Sequence, residues 1–323
     1  MKTYIIVSLF LGTIAFLYLK LATRFKIIDK PNQRSSHTKI TIRGGGIIFP
    51  ISVLLFFFFN DYQYPFFVLG VFLISVVSFL DDIYTLSSKI RFPFQFLAIL
   101  LILHQVSLPL PYSISLMYLA YFFFGVGVVN MFNFMDGING ITGFYSLAVL
   151  SGLYFINVNE QLINSELIIY VVLSILIFGY YNFRKKALFF AGDIGSITIG
   201  MLIFFIGLLF TVKLSSPLIL LTIVIYGADA TCTFLYRKIL TKENVFKPHR
   251  HHIYQKLVDV YKISHLKIAV IYALLQVVVN VIVYKTYNLE IEYQLFVFLG
   301  IITVLFITYI LMFRMVRKRQ LQS

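Results

Sequence analysis

Charge is scarce in this sequence of 323 residues: Asp, Glu, Lys and Arg make up 12% of it, about half the usual share for a soluble domain. With 60% of its residues hydrophobic, a soluble fold could not hide the apolar surface, which excludes that class. Cysteine occurs once, at Cys232, which excludes an intrachain disulfide and a thiolate metal cluster. The apolar runs lack the strict alternation of barrel strands, which argues against a β-barrel. The opening run from Thr3 to Ala22 lacks a small-residue cleavage site and is too long for a signal-peptide core, so it reads as a first span.

What is present is a series of apolar runs, several of them near the roughly 17–25 residues that cross a hydrocarbon core of about 30 Å. They predict an all-α polytopic membrane protein forming a single integral-membrane domain over 1–323. About eleven transmembrane helices are expected, at 3–22, 44–60, 63–80, 92–106, 114–134, 141–157, 163–182, 194–211, 215–236, 266–286 and 291–313. The connections fall into two sets. One side of the membrane receives 24 Lys and Arg and the other only Lys2, Lys213 and Lys285. Basic residues accumulate in cytoplasmic loops, so the N-terminus is expected outside and the C-terminus in the cytoplasm. The net charge of +14 therefore reports orientation, and no nucleic-acid partner is expected.

Polar motifs gather on the expected cytoplasmic side. "SFLDDIYTLSSKIRFP" sets Asp81 beside Asp82, with Lys89 and Arg91 following. Adjacent carboxylates repel and keep both charges only near a cation. The pair is either a capped helix junction or a metal or base site with a basic residue holding a phosphate. "AGDIGSITIG" places Asp193 among small residues at the start of a span, where backbone approaches closely and free N–H groups face an anion. "DKPNQRSSHTKITIRGGG" supplies Arg34, His37, Lys39 and Arg43 before Gly44–Gly46, a run that marks close backbone approach or a hinge. "KPHRHH" clusters His249, Arg250, His251 and His252. No cysteine or nearby carboxylate completes a zinc set, so a hydrogen-bonding cradle for phosphate and sugar suits the cluster better.

"NMFNFMDGINGITG" spaces Asn130, Asn133, Asp136 and Asn139 three apart. In an ideal helix such positions drift by about 60° per step and sweep half the circumference. They are expected where the fifth span frays into a loop, facing a shared cavity. Amides and carboxylates there suit oxygen ligation of Mg²⁺ or hydrogen bonds to a nucleobase, the alternative being polar residues that join helices.

Taken in order, these five motifs resemble the polyprenyl-phosphate N-acetylhexosamine-1-phosphate transferase family (glycosyltransferase family 4), in the superfamily of phospho-N-acetylmuramoyl-pentapeptide transferase. The resemblance covers Asp29 to about Leu257. It implies that a polyprenyl (undecaprenyl) phosphate attacks the sugar-bearing phosphorus of a UDP-N-acetylhexosamine, releases UMP and starts a lipid-linked surface glycan such as lipopolysaccharide. The implied cofactor is Mg²⁺, or Mn²⁺ in its place, with Asp193 and Asn133 as ligands. Asp81 or Asp82 would bind or deprotonate the lipid phosphate. Asp136 and Asn139 would hold uridine and Asn182 would close that pocket, with Asn130, Arg43, Lys89 and Arg91 as further substrate contacts. His249, Arg250, His251 and His252 would cradle pyrophosphate and sugar; their spacing is that of the hexosamine-1-phosphate branch. "TKITIRGGG" departs from the family in lacking prolines before the glycines. The implied location is the cell (plasma) membrane with the site on the cytoplasmic face, and a homodimer is left open.

The rival reading is a transporter or lipid flippase without transferase activity. Such proteins place ionisable groups near the midplane, often in repeated halves. These spans are nearly free of charge and show no internal repeat. Asp229, eight residues before Arg237, is the one exception deep enough for a transport site.

Overall fold

A computed structural model of the protein describes residues 2–29, 40–107, 115–244 and 249–322. Arg34, His37 and Lys39 lie outside the described residues. Twelve helices are described: α1 (Lys2–Arg24), α2 (Ile48–Phe59), α3 (Pro65–Tyr84), α4 (Ser88–Val106), α5 (Ser115–Met135), α6 (Ile141–Glu160), α7 (Glu166–Asn182), α8 (Gly192–Leu214), α9 (Val224–Leu235), α10 (Ile253–Asp259), α11 (His265–Thr286) and α12 (Ile291–Gln322). The only strands among the described residues are two-residue pieces, β1 (Ile28–Asp29) and β2 (Thr41–Ile42), paired antiparallel.

Nine helical stretches among the described residues are long and apolar enough to cross a membrane. Shorter apolar helices over Gly45–Phe59 and Glu166–Asn182 stand where two further spans are expected. The protein is thus an all-α, multi-pass membrane protein. The long stretch over Pro217–Thr241 is composite: a 3₁₀ turn over Pro217–Ile223, then α9, then a π-helical end over Tyr236–Thr241.

Several boundaries shift by a few residues from expectation. The loop expected over 81–91 shrinks to 85–87, because α3 runs on through Asp81 and Asp82 to Tyr84 and α4 begins at Ser88. Partners from other elements hold both carboxylates, so the helix need not end to solvate them. Helix α12 continues to Gln322, past the expected end at 313. At 1.5 Å per residue its 32 residues span about 48 Å, more than a hydrocarbon core of about 30 Å, so its basic end projects beyond the apolar layer.

The core is built around α8, which buries 18 of its 23 residues and is apolar on every side, as a helix enclosed by others must be. It packs against α3 and α5 along its length and against α2 and α6. Its first turn receives the chain from β2. Phe190 N–H donates to Ile42 O at 2.8 Å, Gly45 N–H to Phe190 O at 2.8 Å and Gly46 N–H to Ala191 O at 2.9 Å. A Cβ at Gly46 would strike Gly195 Cα and lie 2.7 Å from Ala191 O, so the glycine run is read here as close backbone approach. The Tyr18 hydroxyl donates to Arg43 O at 2.5 Å and ties α1 to the same junction.

That contact gives a direct test. Gly46→Ala forces backbone away from backbone, which costs about 1–3 kcal/mol for an overpacked site. Gly127→Ala, where a Cβ meets nothing within 4 Å, is close to neutral. Thermal unfolding of the two variants in detergent is expected to separate them clearly, with only Gly46→Ala losing stability.

Candidate active site

The end of α3, the first turn of α4, the start of α8 and the residue after β2 bring three carboxylates and two guanidinium groups together. Arg43 Nε lies 2.6 Å from Asp82 Oδ1 and its Nη2 lies 2.9 Å from Asp193 Oδ1. Arg91 Nη1 lies 2.5 Å from Asp81 Oδ2 and 2.8 Å from Asp193 Oδ2. Asp193 is therefore shared, with one arginine on each oxygen. Burial opposes the charge on Arg43, but Asp82 and Asp193 outweigh it and raise its pKa.

The three aspartates are not equivalent. The Asp82 side chain is fully buried and accepts from Asp193 N–H at 2.9 Å and Ile194 N–H at 3.1 Å, the free donors of the first turn of α8. A Cβ at Gly192, whose φ is +73°, would collide with Asp82 Oδ2, so the residue before Asp193 has to be glycine for this cap to close. Asp81 accepts from Leu86 N–H at 2.5 Å and otherwise faces Arg91. Asp193 also accepts from Asn133 Nδ2 at 3.1 Å, and the same nitrogen reaches Ser196 Oγ at 3.1 Å. With its nitrogen committed, Asn133 has its amide oxygen left to offer a ligand. Lys89 is exposed.

The members of the asparagine row take different hydrogen-bond partners. Asn130 and Asn133 lie in the last turns of α5, and Asp136 and Asn139 in the loop before α6. Asn130 Nδ2 donates to Val126 O of its own helix at 2.8 Å. Asp136 accepts from the Thr142 hydroxyl at 2.6 Å; burial pushes its carboxyl up to about 6 against that hydrogen bond. Asn139 Nδ2 donates to Arg184 O at 2.9 Å and Lys185 O at 3.3 Å. Asn182 accepts from Gly140 N–H at 2.7 Å and donates to Phe189 O at 2.9 Å, so both ends of its amide serve backbone. These two asparagines brace the loops around 140 and 184–189 rather than project from them.

The histidine segment stands beside this site. Tyr254, in the first turn of α10, donates its hydroxyl to Phe134 O at 3.1 Å, one residue after Asn133. Arg250 makes a two-point pair with Asp259, Nε to Oδ2 at 3.0 Å and Nη2 to Oδ1 at 2.7 Å. His251 Nε2 lies 3.1 Å from Glu243 and His252 Nδ1 lies 2.9 Å from Asp229. Burial, with His252 and Arg237 nearby, pushes His249 down to about 3, so it is neutral at physiological pH. The segment is thus less basic than its composition suggests: it offers imidazole hydrogen bonds, with one guanidinium already paired.

Asp229 lay outside the expected site, and the fold ties it to the histidine segment. It is fully buried and accepts from five donors on α9, α10 and α11 or at their ends. Its spacing from the histidines gave no sequence signal of this role.

A family profile described as "Glycosyl transferase family 4" matches residues 64–211, the stretch holding Asp81, Asp82, Asn133 and Asp193. A Bacillus subtilis (strain 168) protein named "Probable undecaprenyl-phosphate N-acetylglucosaminyl 1-phosphate transferase" is 30% identical over 275 residues, 78% of this chain and 75% of that protein. The "Undecaprenyl-phosphate alpha-N-acetylglucosaminyl 1-phosphate transferase" of Escherichia coli (strain K12) is 29% identical over 275 residues, 77% of this chain and 74% of that protein. Its Salmonella typhi namesake is 27% identical over 277 residues, with the same coverage. This chain belongs to glycosyl transferase family 4.

For this family 4 chain, the donor set can be tested against the implied Mg²⁺. Among the described residues, no group of three or more His, Cys, Asp or Glu side chains could by itself hold a metal ion. Mg²⁺ asks for less, since it is usually held by one or two carboxylates with water and substrate phosphates. Asp193 and the Asn133 oxygen fit that requirement in kind, provided that an arginine releases a carboxylate oxygen.

Two predictions follow from the geometry. Asp82→Ala removes the acceptor of two α8 N–H groups and half of Arg43's pairing, and is expected to cost about 3 kcal/mol or more. Lys89→Ala, on the exposed surface, stays within about 0.5 kcal/mol in the same unfolding measurement. Asp136 carries a folded pKa of about 6, above an unfolded value near 3.9. Its ionisation costs nothing below about pH 4 and the cost grows as pH rises to 6, on the order of 3 kcal/mol. Asp136→Asn is therefore expected to be stabilising at pH 7 and not at pH 4, as melting at the two pH values would reveal.

Proposed function

We propose that the protein transfers a sugar 1-phosphate from a UDP-N-acetylhexosamine to polyprenyl phosphate. A phosphate oxygen of the lipid attacks the sugar-bearing phosphorus, the bond to the UMP oxygen breaks, and a polyprenyl-diphosphate sugar and UMP result. The observation that carries the reading is the cluster of Asp81, Asp82 and Asp193 under Arg43 and Arg91. Phosphoryl transfer needs charge neutralised and groups aligned more than it needs covalent chemistry. Two partly exposed guanidinium groups held on a carboxylate cluster are placed to exchange those carboxylates for substrate phosphates. The N-acetylglucosaminyl 1-phosphate named in the relatives makes UDP-N-acetylglucosamine the first donor to test.

The residues divide by what already holds them. Asp82, saturated by three donors, organises the start of α8 and the position of Arg43. Asp81, held less completely, acts on the lipid phosphate. Asp193 and the Asn133 oxygen would hold Mg²⁺, which when bound supplies positive charge to the diphosphate. Asp136 meets the uridine, while Asn139 and Asn182 shape that pocket through the backbone they brace. His249 and its neighbours accept and donate hydrogen bonds to the diphosphate and sugar. The lysine and arginine bias supports eleven crossings of the cell membrane, with this site on the cytoplasmic side, where a nucleotide sugar and a lipid phosphate can meet.

The test is UMP release by the purified chain from UDP-N-acetylglucosamine, undecaprenyl phosphate and Mg²⁺. Asp193→Asn keeps the shape but loses the charge, and transfer is expected to fall by about 10²–10³ with normal membrane insertion. Full activity in that variant would show that Asp193 does not hold the metal.

A further inference from the structure

Asp229 is the buried carboxylate that the proposed reaction leaves unused. It accepts from Thr233 Oγ1 at 3.2 Å on its own helix and from the Tyr272 hydroxyl at 2.5 Å on α11. Its remaining partners all belong to the histidine segment: His252 Nδ1 at 2.9 Å, Ile253 N–H at 3.2 Å and Tyr254 N–H at 3.3 Å. A carboxylate ringed by donors accepts from the imidazole as well, so Nδ1 carries the hydrogen and Nε2 is the nitrogen left for a ligand. The rings of His249 and His252 lie 5.0 Å apart, so what orients one constrains the other. Beyond them, Tyr254 fastens the same segment to the end of α5.

We infer that Asp229 is a positioning residue for His249–His252: it sets the tautomer and orientation of His252 and the backbone after it, so that the segment faces the diphosphate of the sugar donor. The inference rests on the proposed reading of that segment as the diphosphate cradle. Holding a ring in one tautomer while two backbone N–H groups beside it are fixed is how a buried partner pre-organises a binding group. Asp229 touches no reacting atom itself.

A role in donor binding and a role in folding alone give different kinetics. Loss of folded protein lowers turnover and leaves both KM values unchanged, whereas a misplaced cradle raises the donor KM. In the full-length protein with Mg²⁺ and undecaprenyl phosphate, Asp229→Asn is expected to raise the KM for UDP-N-acetylglucosamine about tenfold or more. The KM for the lipid stays as it was, and amide exchange quickens over 249–259 while α11 keeps its protection. His252→Ala cuts the same link from the other side, so it raises the donor KM alike, and the double variant is no worse than the poorer single one. If Asp229→Asn does not fold, His252→Ala carries both the kinetic and the exchange measurement. An unchanged donor KM, unchanged exchange over 249–259, or additive losses would overturn the inference. His249→Ala separates the two levels: an unchanged donor KM there sinks the cradle reading itself. A raised KM there beside a normal one in Asp229→Asn overturns only the positioning role.

Discussion

The hold of Asp82 on the first turn of α8 is the interaction on which the rest of the site depends. One carboxylate from α3 satisfies two backbone donors of α8 and binds Arg43, so three separate stretches meet at a single group. The favourable alignment of a carboxylate with a helix N-terminus makes this contact worth more than a surface ion pair. Everything around it is arranged to let the groups approach. Gly192 has no side chain to block Asp82, Gly46 lets two backbones touch, and Tyr18 pins the carbonyl of Arg43.

Arginine and carboxylate also restrain each other. Three aspartates this close would repel strongly alone, and two half-buried guanidinium groups would be costly to leave unpaired. Paired, they form a cluster in which Asp193 is held from both sides and Asn133 adds a neutral donor. A ligand that brings its own negative charge can take over the arginines, and a cation can take over the carboxylates.

Much of this was legible in the sequence because it rested on patterns that do not need folding to be seen. Long apolar runs gave eleven expected spans, and helices stand at each of them, though α2 and α7 are shorter than the nine that reach spanning length. The doublet Asp81-Asp82, the glycines around Asp193 and Gly44–Gly46 stood out by company, and the fold brings them together. What stayed hidden is what depends on who pairs with whom. The motif spacing could not say that Asp82 is saturated while Asp81 is not, that Asn182 spends both ends on backbone, or that His249 sits neutral. Nor could it show that the four residues of the asparagine row turn to four different partners. The role of Asp229 was hidden for the same reason: nothing in the sequence says that the histidine segment, 23 residues on, closes over it.

The sequence distances within the cluster carry a consequence for how the protein is made. Arg43 and Asp193 are separated by 150 residues, and Asp82 and the backbone it caps by 111. As the chain emerges, α1 to α7 enter the bilayer with two aspartates and two arginines already in place but without the helix that organises them. Until α8 is synthesised, Asp81 and Asp82 can pair with Arg91 and Arg43, but the cluster lacks Asp193 and the α8 N–H groups that Asp82 caps. The arrival of α8 is therefore the step that closes the cluster of aspartates and arginines, and the histidine segment can join it only after a further stretch of chain.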